Sequence, residues 1–232
     1  MGQSLPPSIK LRNTILILLL LTAFALRLYR LDHQEIWGDE AHSAHVASLP
    51  LLSTVSPRTE TNPPLYHFLL YSWVRLTGSS VFALRFLSLV LGVLTVPLVY
   101  GLARLAFGEL VGLLAALLCA ISPFQVYYSQ EARMYALATL FTTLSMFLLA
   151  KIVSGRGGQF RLYPATEERP RPDFASEQFL GRAGTPLGSN FRFPEILRGL
   201  DILWLAYFLA TAAAIFTHYY ALFVVVAQNV FG

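Results

Sequence analysis

Two adjacent carboxylates, Asp39 and Glu40, stand just beyond the first long apolar run, in the stretch IWGDEAHSA at residues 36–44. An ionised carboxylate at a membrane edge is costly to desolvate, so its presence there needs a reason. One interpretation is structural: Asp39 caps a short helix, and Glu40 favours the positive N-terminal end of that helix. The other is chemical: Asp39 accepts a proton from a substrate at the membrane surface. The local sequence favours neither.

Three further polar clusters interrupt the apolar runs. Glu131 and Arg133 form either an interfacial charge pair or a site in which the planar arginine fork meets a phosphate. His218, in the stretch THYY, belongs either to a site or to an aromatic belt at the interface. The stretch NPPL is either the start of a helix, with Asn62 as its cap and Pro63 in its first turn, or a contact to a ligand; the helix start is the preferred interpretation.

Metal-binding side chains are sparse. His42 and His45 follow the carboxylates, and the spacing would place Asp39 and His42 on one helical face. The sequence requires no cofactor. If a divalent metal binds, Asp39, Glu40 and His42 are its candidate ligands. Cys119, the one cysteine, lies in an apolar run, which excludes a disulfide framework and a thiolate metal site.

Composition places the chain in a membrane. Of 232 residues, 55% are hydrophobic and 13% charged, and the mean hydropathy is +0.56. Soluble domains contain about 25% charged residues. We therefore expect an all-α, polytopic transmembrane helix bundle. The predicted crossings are about 13–31, 82–107, 110–126, 136–153 and 200–216, with an incomplete one at 219–232. Arg27 and Arg85 are interpreted as residues that snorkel to the interface.

The loops fix a predicted orientation. Residues 154–199 are rich in arginine and are expected to form a mobile cytoplasmic loop, on the same side as the N-terminus. Residues 32–80 then form an outer loop with short interfacial helices, and all the polar clusters share the outer face. We expect a multi-pass plasma-membrane protein. Because the chain stops inside a predicted crossing, we interpret it as an N-terminal fragment that is inactive alone.

These stretches together resemble a known family. The segments WGDEA (37–41), NPPLY (62–66), SQEARMYAL (129–137) and THYYA (217–221) are similar to membrane glycosyltransferases of the C-type superfamily. The resemblance is to family 39, the protein O-mannosyltransferases and aminoarabinose-type lipid transferases, and covers roughly 12–150 and 200–232. It implies transfer of a sugar from a polyprenyl-phosphate donor to a hydroxyl on a lipid, glycan or protein acceptor, among membrane lipids and without nucleic acid.

The resemblance also implies residue roles. Asp39 would be the catalytic base, and Glu40 would help to hold the site or the acceptor. We also expect contacts of Arg133, His67 and His218 with the donor phosphate, and of Asn62, Pro64, Tyr66, Glu131 and Tyr135 with the substrates. Many relatives carry His or Lys near the Pro-Pro pair, whereas here Asn62 precedes it and His67 follows, which leaves open the residue that meets the phosphate.

Two other classes remain as alternatives. A polytopic transporter or channel also carries charges at membrane edges, but it predicts paired broken helices in matching halves, and the sequence shows none. A non-catalytic membrane partner subunit is the second alternative.

Overall fold

The computed structural model describes residues 7–54, 62–155 and 193–231. Within them the chain forms ten helices and no strand, which confirms the predicted all-α bundle. The helices are α1 (Pro7–Leu28), α2 (Gly38–Ser48), α3 (Leu51–Thr54), α4 (Leu65–Thr77), α5 (Val81–Phe107), α6 (Glu109–Ile121), α7 (Pro123–Ser129), α8 (Tyr135–Gly155), α9 (Phe193–Ile215) and α10 (Ala221–Phe231).

Three of these helices, α1, α5 and α8, are long and apolar enough to cross a membrane. Helices α6 and α7 form a fourth crossing if the pair, bent by 55°, is counted as one span. The apolar part of α9 is shorter, at Ile202–Ile215. Most of the loop predicted at 154–199, namely residues 156–192, lies outside the described residues.

Helix α5 is the centre of the bundle and packs against α1, α6, α7 and α8. One end of the bundle contains the C-terminal ends of α1, α7 and α9 and the N-terminal ends of α4, α5, α8 and α10. The segments that lie together at this end are 29–49, 62–80, 129–134 and 216–220. We call this the site end. The polar clusters that the sequence separates by up to about 180 residues are thus neighbours, as predicted.

The bend between α6 and α7 is held by Arg27. Pro123 has no backbone N–H, so carbonyl groups at the end of α6 lose their helical partners. The Arg27 guanidinium donates to the carbonyl oxygens of Ala120 and Cys119 at 3.0 and 3.2 Å, and to the Ser129 hydroxyl at 3.2 Å. Arg27 is fully buried, so its interpretation as a snorkelling residue is wrong. A broken helix in a bilayer requires such internal partners.

Small residues on α5 permit this close packing. A Cβ at Gly92 would overlap the Ser129 hydroxyl, and a Cβ at Gly101 would lie 2.8 Å from Phe147. At both positions the absence of a side chain lets a neighbouring helix approach closely. Helix α5 therefore packs directly against the C-terminal end of α7.

The two predicted cap residues do not cap. The N-cap position of α2 is Trp37, without a side-chain cap bond, and Asp39 lies in the first turn. Helix α4 begins at Leu65 with Pro64 in the N-cap position, so the prediction of an Asn62 cap and of Pro63 in the first turn is wrong. The reason is a tertiary contact: the Leu65 N–H donates to the Phe216 carbonyl at 3.1 Å. The end of α9 thereby fixes the start of α4.

Candidate active site

The first of two arginine–carboxylate pairs at the site end is buried. Glu40 is 0% exposed, and its two carboxylate oxygens accept hydrogen bonds from Arg85 at 2.9 and 2.6 Å. The remaining Arg85 N–H groups donate to the carbonyls of Leu31, Gln34 and Glu35. All five guanidinium N–H groups are therefore used. The sequence interpretation of Arg85 as a snorkelling residue is wrong, because a buried carboxylate needs a buried cation.

Glu40 also fixes the turn between α7 and α8. Its Oε1 atom accepts a further hydrogen bond from the Ala132 N–H at 2.8 Å. One carboxylate thus joins α2, α5 and the turn that carries Arg133. Because both oxygens are engaged and the side chain is inaccessible, the geometry assigns Glu40 a positioning role.

The second pair is open. The Arg133 Nη2 atom lies 3.4 Å from the Asp39 Oδ2 atom, and Nη1 donates to the Asp39 carbonyl at 3.3 Å. The Asp39 side chain is 51% exposed, whereas that of Arg133 is 9% exposed. The Arg133 Nε–H is buried and has no hydrogen-bond partner among the described residues. A buried donor without a partner is costly, so it marks a place where a ligand oxygen would be bound favourably.

Tyr135 connects this pair to the end of α9. The Arg133 guanidinium carbon lies 6.0 Å from the centre of the Tyr135 ring, which lies 6.2 Å from the His218 ring. The His218 Nδ1 atom accepts from the Tyr220 N–H at 3.2 Å, so its proton is on Nε2. Burial, with a smaller contribution from Arg133, lowers the pKa of His218. The lowered pKa favours the neutral imidazole, and in that form the Nε2–H can donate a hydrogen bond.

Glu131 is a further carboxyl group at the site end, and it is only 7% exposed. Burial raises its pKa; a hydrogen bond with Tyr127 opposes the shift, and the charge of Glu40 adds to it. Arg133 and Arg85 also favour its ionised form. Glu131 therefore holds a proton to higher pH than an ordinary glutamate does.

The NPPLY segment packs beside this site, since Tyr66 shares a buried cluster with Ala132 and Met134. Tyr66 and His67 are both 1% exposed, and their rings are in edge contact. Burial raises the pKa of Tyr66, whose hydroxyl lies beside Ser88. Asn62 and Pro64 are half-buried. Their implied contacts with substrates, and that of His67 with the phosphate, stay predictions; Tyr66 and His67 reach a ligand only if their neighbours move.

A metal finds few ligands in this arrangement. Among the residues that the structure describes, no three His, Cys, Asp or Glu side chains come together as a metal site. His42 and His45 lie on the exposed face of α2. Glu40 could join Asp39 and His42 on a metal only by giving up Arg85 or Ala132.

Sequence reasoning missed the structural roles of Arg85 and Arg27. The available signal was their position: both stand in long apolar helices, where a charge is rare and faces the protein interior. Their partners could not be read from the sequence because they are mostly backbone carbonyls.

Comparison with known proteins gives one match. A sequence profile of the dolichyl-phosphate-mannose-protein mannosyltransferase family matches residues 61–163, which include Glu131, Arg133 and Tyr135 but neither Asp39 nor His218. No curated protein and no solved structure matches the chain significantly. The match, together with the all-α bundle, supports identification of the chain as a C-type membrane glycosyltransferase.

Proposed function

We propose that the protein transfers a sugar from a polyprenyl-phosphate-linked donor to an acceptor hydroxyl at the outer membrane–water interface. The observation that carries the proposal is the open pair: a half-exposed carboxylate lies against a buried arginine whose Nε–H has no partner among the described residues. The family match supports a polyprenyl-phosphate sugar as the general class of donor.

The reaction needs two groups close together. The bond between the anomeric carbon of the sugar and the phosphate oxygen breaks, and a bond from the acceptor oxygen to that carbon forms. The acceptor proton passes to Asp39, and the polyprenyl phosphate leaves with the bonding electrons. A base near the acceptor and a cation near the phosphate are sufficient, since a phosphate leaves without being protonated.

Arg133 is suited to be the cation that binds the leaving phosphate. Nη1 and Nη2 hold Asp39, while the buried Nε–H and the second N–H of each terminal nitrogen can donate to phosphate oxygens. The same guanidinium would then hold base and leaving group side by side. The Nε2–H of His218 supplies one more donor near Tyr135.

The test is donor use by the full-length protein. Arg133→Lys should raise the KM for a polyprenyl-phosphate sugar by about tenfold or more, since lysine keeps the charge but cannot form the forked contact. Arg104→Lys is the matched control, because Arg104 pairs with the exposed Glu109 at the opposite end of the bundle. Normal donor use by the Arg133→Lys protein would remove Arg133 from the phosphate site, and a wild-type protein without transfer would contradict the reaction.

The proposed orientation has its own test in a Cys119→Ser background. Ser79→Cys, in the exposed turn before α5, should react with an impermeant thiol reagent in intact cells. Gly155→Cys, at the exposed end of α8, should not. The reverse labelling pattern would put the site end in the cytoplasm.

A further inference from the structure

Two arginines share one carboxylate at the end of the bundle opposite the site end. Here α1 begins, and Gly108 alone joins α5 to α6. The Glu109 Oε2 atom lies 2.8 Å from the Arg104 Nε atom, and Oε1 lies 4.0 Å from the Arg12 Nε atom. Oε1 also accepts a hydrogen bond from the Tyr100 hydroxyl at 2.6 Å. Three helices therefore meet at this carboxylate, and we call Arg12, Arg104 and Glu109 the basic corner.

Helix packing holds the basic corner in place. A Cβ at Gly112 would lie 2.9 Å from the Arg104 Cβ atom and 3.1 Å from the Tyr100 carbonyl oxygen, so a glycine there lets the first turn of α6 approach α5 closely. On α1, the Asn13 Oδ1 atom accepts hydrogen bonds from Nε and Nη2 of Arg12 at 3.2 and 3.1 Å. Both guanidinium groups are thus positioned without a ligand.

The charges of the basic corner do not balance. Two guanidinium groups face one carboxylate, so one positive charge is left over. The Nη1 atom of Arg12 and both terminal nitrogens of Arg104 have no hydrogen-bond partner among the described residues. Both side chains are partly exposed, at 28% for Arg12 and 48% for Arg104. Accessible guanidinium donors with an excess of positive charge suit a phosphate.

Apolar side chains continue from the basic corner toward the middle of the bundle. On α6, Leu110 follows Glu109 directly, and it begins a row of exposed leucines at every fourth residue, which lie on one face of the helix. The row is Leu110, Leu114 and Leu118. On α1, the exposed Leu11 and Leu18 flank Arg12 in the same way. A phosphate that carries acyl chains would use both the guanidinium groups and these apolar rows, whereas a free phosphate would use the guanidinium groups alone.

We propose that the basic corner binds the headgroup phosphate of an anionic phospholipid, whose acyl chains lie along the apolar rows of α1 and α6. Basic residues between membrane helices are a common form of anionic-lipid site. The proposed orientation puts this lipid in the cytoplasmic leaflet. The site takes no part in the proposed sugar transfer, which occurs at the other end of the bundle. Glu109 competes with the lipid phosphate, because both bind the same two guanidinium groups.

The experiment measures lipid binding to the full-length, delipidated protein in detergent by native mass spectrometry. Phosphatidylglycerol should bind about fivefold or more tightly than phosphatidylcholine with the same acyl chains. Arg12→Gln should remove most of that preference. Lys151→Gln is the matched control, since it removes one positive charge from α8 at the same end of the bundle, and its preference should stay within about twofold of wild type.

Glu109→Gln should have the opposite effect. Loss of the competing carboxylate should strengthen phosphatidylglycerol binding by about fivefold, whereas a cluster that only joins the helices would show no gain. This variant keeps the test valid if Arg12→Gln protein does not fold, which its melting temperature in phosphatidylcholine would reveal.

Three results would overturn the assignment. The first is unchanged or weaker phosphatidylglycerol binding by the Glu109→Gln protein. The second is an equal loss in the Arg12→Gln and Lys151→Gln proteins, because net charge alone would then attract the lipid. The third is displacement of phosphatidylglycerol by inorganic phosphate, which would make the basic corner a site for soluble phosphate.

Discussion

The two arginine–carboxylate pairs of the site end differ in how completely they are satisfied. Arg85 uses all five N–H groups, and its partner Glu40 is fully buried with both oxygens engaged. Arg133 holds Asp39 by longer contacts, retains a buried Nε–H without a partner among the described residues, and faces a half-exposed carboxylate. The difference separates a pair that builds the site from a pair with capacity left for a ligand.

The position of the open pair also depends on the buried pair, whereas the buried pair does not depend on the open one. Glu40 binds the Ala132 N–H, and the next residue is Arg133. Breaking the closed pair should therefore disturb the open one, whereas breaking the open pair should leave the closed one in place. Variants of each pair can test this asymmetry.

The largest effect on stability is expected for Arg85→Met. Glu40 would stay buried without its cation, and loss of one partner of a buried pair costs about 3–5 kcal/mol. Arg133→Met should cost about 1 kcal/mol or less, since Asp39 is half exposed and can be hydrated. The free energy of unfolding, measured by SDS titration in mixed micelles, compares the two variants directly.

The double variant Glu40→Met, Arg85→Met is the control for that comparison. It should recover part of the loss, because no uncompensated charge remains buried. Equal losses in the Arg85→Met and Arg133→Met proteins would remove the distinction between a closed and an open pair.

A smaller effect is expected at Glu131, which interacts with both pairs. Its raised pKa means that the folded protein binds this proton more tightly than the unfolded chain does, so stability is lost as the pH rises through that pKa. Glu131→Gln should therefore raise the melting temperature at pH 7.5, and the gain should shrink as the pH falls through the range where carboxylates protonate. A loss at pH 7.5 would show that the ionised group is favoured in the fold, and a gain that is independent of pH would show that the effect does not come from protonation of Glu131.

Much of this arrangement could be predicted from the sequence. Apolar runs and breaks at Gly78, Gly108 and Pro123 indicate the helices, and their alternating direction brings Asp39, Arg133 and His218 to one end. These features are local, so they can be read from composition and turn residues.

Which of Asp39 and Glu40 is buried, and which is exposed, could not be predicted in the same way. Neighbouring residues on a helix point about 100° apart, and which of them is buried depends on how α2 packs on α4 and on where Arg85 lies. The start of α4 was missed for the same reason, since the Phe216 carbonyl, distant in sequence, binds its first N–H.

The central claim is that Asp39, the exposed carboxylate of the open pair, is the base of the reaction. The most direct measurement is the rate of sugar transfer from a polyprenyl-phosphate donor by full-length wild type and Asp39→Asn, at matched membrane expression. The account predicts an unchanged unfolding midpoint and a rate lower by roughly 10²- to 10⁴-fold, the usual contribution of a positioned base. Near-normal turnover by the Asp39→Asn protein would contradict the claim.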